Sequence, residues 1–268
     1  VKTIVLEQPG QLELVDTGEP QAPNEGEVLV RVERVGICGT DLHAFSGTQN
    51  FFTYPRILGH ELAVRIEAIG PTSTVHSFHV GDLCSVIPYL SCGTCIACRS
   101  GKENCCTSLK VLGVHTDGGM RERFCVPLNR LIKADGVSTD ELALVEMLAI
   151  GAHAVNRASV AEGDTALIIG AGPIGLATAQ FVQLSGGTPI LMDVSQERLR
   201  FCRETLSMPH VIDANSDPIP QIKAIIHGDL PVIVFDATGS SKSMHAAFEY
   251  VAHSGKLVLV GHIKGDIT

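Results

Sequence analysis

The chain has 268 residues, 45% hydrophobic and 18% charged, with a formal net charge of −9. That length fits about two domains, and the composition is that of a globular chain with a sizeable core. The acidic balance argues against a nucleic-acid partner, which needs a basic footprint. The most apolar stretch, Ala166 to Ala179, is broken by Pro173 and three glycines and is too short for a membrane span of roughly 20 apolar residues.

Taken in chain order, Val1 to Gly10 lacks the apolar segment of a secretory signal, so the expectation is a cytoplasmic chain. Glu27 to Val35, EVLVRVERV, alternates with period two and predicts a half-buried strand. Similar runs recur at Leu62 to Ile69, Asp82 to Ile87 and Arg121 to Val126, separated by glycines and prolines. This texture, over residues 1–155, predicts an irregular β domain with inserted loops.

Two of these loops carry candidate ligands. Cys38 lies in VGICGTDLH, just after the first strand, and His60-Glu61 lies in ILGHE. Alone, a cysteine usually packs and a histidine is usually a satisfied polar group. The residue types nevertheless suit a catalytic zinc, which takes about three protein ligands and keeps one position open. Glu146, in LVEMLAIGAH, is a carboxylate between apolar residues; it is either a further oxygen ligand or an ordinary helix-surface acid. The stretch Phe45 to Tyr54 either shapes a pocket or is a plain surface loop.

Seven of the nine cysteines precede residue 107, and four follow the pattern C-x2-C-x2-C-x7-C at Cys92, Cys95, Cys98 and Cys106. In a reducing compartment such clustering points to metal rather than disulfides. Four thiolates form the closed, tetrahedral shell of a structural zinc. Cys105 adjoins Cys106, so either thiol can close the set.

Beyond residue 155 strands alternate with helices, which predicts βαβ units and a parallel sheet over residues 156–268. Strands are expected at Thr165 to Ile169, Thr188 to Met192, Val232 to Asp236 and Lys256 to Gly261, and helices at Pro173 to Leu184, Gln196 to Leu206 and Ser241 to His253. Between the first strand and helix lies Gly170-Ala171-Gly172-Pro173-Ile174-Gly175, a G-x-G-x-x-G in a strand–turn–helix setting. Gly170 permits the tight turn, Gly172 the approach of a pyrophosphate, and Gly175 close packing of helix on sheet. Asp193 ends the next strand, placed for the ribose hydroxyls of NAD and against the 2′-phosphate of NADP. Arg198 either softens that choice or is a helix-surface residue.

The order of these pieces resembles the zinc-dependent medium-chain dehydrogenase/reductase family over essentially the whole chain. The resemblance implies an α/β chain: a GroES-like β domain followed by a doubly wound Rossmann domain. It implies two zinc ions per chain, NAD rather than NADP, and a homodimer or homotetramer acting on a small-molecule alcohol. Cys38 and His60 look like catalytic zinc ligands, with Glu61 as an acidic neighbour able to ligate. Thr40 and His43 match the family's proton relay, in which a hydroxyl meets the substrate oxygen and an imidazole carries the proton outward. Thr238, in the Asp236 to Gly239 turn, would line the adenine side of the cofactor, and Gly261 would lie near the nicotinamide. The segment around Glu146 resembles the polyol and threonine dehydrogenase branch, with Met147 where proline is usual. The expected reaction is hydride transfer between a polyol or sugar acid and NAD. Threonine or a short-chain alcohol is the rival substrate, and a non-catalytic nicotinamide-binding protein is the rival class. Family members usually run several tens of residues further, so the sequence is expected to be either a fragment or a shortened form with an open sheet edge.

Overall fold

The computed structural model describes residues 1–49 and 52–263. Part of the stretch Phe45 to Tyr54 and the end of the chain, through Thr268, lie outside the described residues. The chain divides into two compact units, Val1–Glu146 and Met147–Thr268.

In chain order the first unit holds β1 (Lys2–Gln8), β2 (Gln11–Asp16), β3 (Glu27–Gly36), α1 (Gly39–Phe45), β4 (Arg56–Ile57), β5 (Glu61–Ile69), β6 (Leu83–Val86), β7 (Tyr89–Leu90), α2 (Ile96–Arg99), β8 (Lys110–Val111), β9 (Arg123–Pro127) and β10 (Leu131–Lys133). Its main sheet has the order β10-β6-β5-β3-β9; β2-β1-β4 and β7-β8 form smaller sheets. The period-two pattern in β3, β5 and β9 turns Val28, Val30, Leu62, Val64, Ile66, Phe124 and Val126 into one buried core. β3 and β5 run antiparallel down to the pair Gly36↔Glu61, with register shifts on the way. Such irregularities re-aim a strand end.

Helix α3 (Thr139–Ala158) carries the division between the units, which falls at residue 146 although the sequence texture changes near 155. Its first turns give Leu142 and Ala143 to a cluster with Ala63, whereas Ala154, Val155 and Ala158 join the core of the second unit. The helix is hard to foresee because its apolar residues are nearly continuous, not striped. The β1–β2 hairpin was likewise not among the predicted elements.

The second unit continues with β11 (Thr165–Ile169), α4 (Pro173–Leu184), β12 (Thr188–Asp193), α5 (Gln196–Glu204), β13 (His210–Asp213), α6 (Pro218–Ile225), β14 (Ile233–Asp236), α7 (Ser241–Ala247) and β15 (Lys256–Leu259). The strands are parallel in the order β13-β12-β11-β14-β15. Apolar clusters cover both faces, which is why β11, β12 and β14 read as unbroken apolar runs. The order reverses at β11, and the crevice beyond its carboxyl end is where such sheets bind ligands. α7 stops short of the predicted His253: Ala252 N donates to Pro231 O and Ser254 turns left-handed (φ 62°), which delivers the chain to β15. No helix among the described residues is long and apolar enough to cross a membrane.

The packing of α4 on the turn depends on Gly175, where a Cβ would lie 1.8 Å from Gly170 O. Gly175→Ala should therefore lower unfolding stability by about 1–3 kcal/mol. Chemical denaturation checks this, and an unchanged midpoint would show that the turn yields freely.

Candidate metal centres and cofactor turn

The end of the β3–β5 ladder builds the first site. Gly36 pairs with Glu61, and a Cβ on residue 36 would sit 2.1 Å from Glu61 Oε2, so only glycine leaves room for that carboxylate. Two residues on, Cys38 is the N-cap of α1; one residue back from Glu61 stands His60. The ligand atoms of Cys38, His60 and Glu61 lie within 4.8 Å of one another. His60 and Glu61 are buried and Cys38 is half-buried.

A buried carboxylate supports the imidazole from behind. Asp41 is 3% exposed; its Oδ2 accepts from Cys38 N at 2.9 Å, and its Oδ1 faces His60 Nδ1 at 3.8 Å. Among the described residues neither Oδ1 nor Nδ1 has a hydrogen-bond partner. With Nδ1 turned to Asp41, Nε2 is the nitrogen left for a metal, the usual carboxylate–histidine–metal order. Glu146 is also buried, but it lies outside the three-donor set, and its Oε1 accepts from the Tyr89 hydroxyl at 2.5 Å.

The site holds more acid than its own groups neutralise. Burial alone would lower the His60 pKa, yet the Cys38 contact and the Asp41, Cys38 and Glu146 charges push it up to about 9. Burial raises the Asp41 and Glu61 carboxyls, with the His60 charge acting against it in both. Burial and the neighbouring Glu146 raise the Tyr89 phenol. An imidazole and a carboxylate that hold a proton more firmly than usual, beside the Cys38 sulfur, suit a divalent cation, which would displace that proton. The mixed S/N/O donor set fits zinc.

The second site is the cysteine lobe. Cys92, Cys95, Cys98 and Cys106 bring all four sulfurs within 4.8 Å of one another, with Cys95–Cys98 at 3.4 Å and Cys92–Cys98 at 4.0 Å. A tetrahedral zinc with Zn–S of about 2.3 Å sets sulfurs about 3.8 Å apart. Backbone amides point at the sulfurs: Cys95 N at Cys92 Sγ (3.3 Å), Cys92 N at Cys106 Sγ (3.3 Å) and Ser108 N at Cys106 Sγ (3.4 Å). Such donors hold the Cys92 and Cys95 thiols below their ordinary range. Cys105 is exposed and outside the set, so Cys106 is the thiol that closes it.

The glycine turn forms the third site. Gly170 has φ 99°, Gly172 caps α4 and Pro173 opens it, with Ile174 and Gly175 in the first turn. Asp193 Oδ2 accepts from Ala171 N at 2.7 Å and Oδ1 from Ser195 N at 2.8 Å, which fixes the carboxylate beside the turn. The Arg198 Nη1 lies 3.6 Å from Asp193 Oδ2 with its side chain largely exposed. A cavity of about 440 Å³ is lined by Gly170, Gly172, Asp193, Arg198, Thr238 and Ser240, among others. Asp236, fully buried, accepts from Thr238 N, Thr238 Oγ1 and Ser243 Oγ and so sets that wall. Gly261 packs against Gly239, where a Cβ would meet the Gly239 amide at 2.4 Å.

Of the relay residues, His43 Nδ1 hydrogen-bonds Thr48 Oγ1 at 3.0 Å on an exposed surface, and Thr40 is half-buried at the start of α1. Sequence reasoning passed over Asp41 and Tyr89 as functional groups. Asp41 had a usable signal, a carboxylate three residues after a helix cap.

Known proteins resemble this chain over both of its units. The model of the alcohol dehydrogenase GroES-like domain matches residues 24–136, and that of the zinc-binding dehydrogenases matches residues 173–268. L-galactonate-5-dehydrogenase of Escherichia coli K12 is 38% identical over 267 residues, covering 100% of this chain and 78% of that protein. Sorbitol dehydrogenase of Bacillus subtilis is 34% identical over 250 residues, 89% of this chain and 69% of its own. The crystal structure of the short chain alcohol dehydrogenase rspB from Escherichia coli CFT073, complexed with NADH, superposes with a TM-score of 0.86 at 34% identity. It is covered over 75% of its length and covers 96% of this chain.

The pairing of Asp41 with His60 predicts that Asp41→Asn weakens zinc retention by about 10- to 100-fold. Competition with a chelator, followed by metal analysis, reads this; an unaltered release curve would remove Asp41 from the site.

Proposed function

The chain belongs to the zinc-type medium-chain alcohol dehydrogenases, and on that premise we propose that it oxidises a secondary alcohol of a sugar acid or polyol with NAD as hydride acceptor. At the level of the family it is a zinc-dependent oxidoreductase with a nicotinamide cofactor. The observation that carries the finer reading is the convergence of Cys38, His60 and Glu61, beside the buried Glu146, in a chain akin to sugar-acid and polyol dehydrogenases.

In this reading Cys38, His60 and Glu61 hold the catalytic zinc, and Cys92, Cys95, Cys98 and Cys106 hold a structural one, giving two ions per chain. Bound at the first site, zinc would supply the Lewis acidity that lowers the pKa of a substrate hydroxyl, while NAD supplies the hydride acceptor. Asp41 orients the His60 ring. The Thr40 hydroxyl accepts the substrate hydroxyl proton as it gives up its own towards His43, and His43, its Nδ1 fixed by Thr48, releases a proton to solvent. The backbone of Gly170 to Gly175 and the N-terminus of α4 receive the pyrophosphate. Asp193 selects NAD over NADP by charge, with Arg198 moderating that preference. Thr238 and Gly261 border the cofactor. The resemblance also supports a homodimer or homotetramer in the cytoplasm, which light scattering and fractionation would test.

Purified protein should contain two zinc ions per chain, and Cys38→Ser should keep one, remain folded and lose turnover. One zinc in fully active protein would contradict the catalytic metal. NADH absorbance over a panel of sugar acids, polyols, threonine and short alcohols should peak within the first two groups; a maximum with threonine would replace the substrate class. Asp193→Ala should shift the NAD-to-NADP preference by about tenfold, or about 1.4 kcal/mol, towards NADP, and a constant ratio would dismiss its ribose role.

A further inference from the structure

Glu146 is buried yet keeps a single hydrogen bond among the described residues, the one from Tyr89 Oη at 2.5 Å. Among the described residues no lysine or arginine pairs with it. A carboxylate so placed is costly unless it is held. The donor set lies within its electrostatic reach: the Glu146 charge raises the pKa of both His60 and Glu61. The Cys38 and Glu61 charges likewise help to raise the Tyr89 phenol. Its backbone is fixed independently, by the pairing Tyr89↔Val111 between β7 and β8, three residues before Cys92 opens the cysteine lobe. The phenol therefore comes from the β7–β8 neck, outside the ladder that builds the ligand set.

We propose that Tyr89 is a positioning residue that holds Glu146 as a hydrogen-bond acceptor outside the ligand set, leaving Cys38, His60 and Glu61 as the protein ligands and a fourth position open to the substrate oxygen. This rests on the catalytic zinc proposed above. Without the hydroxyl, Glu146 loses its only donor and turns to the metal. The enzyme would then bind its ion with one more oxygen and present no open position.

Cobalt-substituted whole protein tests this, because the visible spectrum of Co(II) reports coordination geometry directly. The wild-type minus Cys38→Ser difference isolates the catalytic ion from the lobe. Tyr89→Phe, which keeps the ring, should weaken and shift that difference spectrum as coordination number rises. It should also slow alcohol oxidation by about 10- to 100-fold with NAD affinity unchanged. Adding Glu146→Gln to Tyr89→Phe should return the spectrum to the wild-type form. A Tyr89→Phe protein with wild-type spectrum and turnover overturns the role of Tyr89 while leaving the zinc site standing. If wild type and Cys38→Ser show the same cobalt spectrum, the catalytic metal itself is refuted, and the role of Tyr89 falls with it.

Discussion

The antiparallel ladder of β3 and β5 ends on Gly36 opposite Glu61, and the donor set of Cys38, His60 and Glu61 is built at that last pair. Backbone hydrogen bonds set the register, and the register sets which side chains meet. A slip of one residue would send Glu61 to the other face of the sheet. The glycine is required by the neighbouring carboxylate, because a Cβ there would lie 2.1 Å from Glu61 Oε2. Cys38 and His60, 22 residues apart in sequence, become neighbours as a by-product of sheet formation.

Charge then decides what the assembled residues can do. Asp41, Glu61 and Glu146 are buried acids around one imidazole, an arrangement that suits a bound cation. The protein answers the excess in different ways. Asp41 is held by the amide of Cys38, and Glu146 is held by a phenol. Glu61 is the carboxylate drawn into the three-donor set. Division of labour among acids of similar chemistry thus follows from which donor reaches each.

Much of this was legible from sequence where the signal is a local spacing. The alternation in EVLVRVERV, the glycine turn with Asp193 and the four-cysteine pattern each fix geometry over a few residues, and the structure places β3, the turn and the sulfur cluster accordingly. What escaped lies in long-range pairing. Tyr89 and Glu146 are 57 residues apart with no pattern linking them. The choice between Cys105 and Cys106 depends on which thiol a short 3-10 turn buries. Spacing alone also left Glu61 and Glu146 equal, whereas sheet register brings Glu61 to the donors. Helix α3 was missed because half of it serves each core, which blurs any single apolar stripe.

The two-stranded neck of β7 and β8 has a consequence for how the first unit holds together. Between Leu90 and Lys110 the chain makes a long excursion whose residues are mostly exposed and contribute to none of the apolar clusters. Ordering such a loop carries a chain-entropy penalty that apolar burial does not offset. A zinc held by the four thiolates, as proposed, would be its cross-link and would make the lobe a metal-dependent unit of stability, distinct from the β core. Zinc supply, rather than temperature, would then be the variable that opens the lobe first, while the sheet stays intact.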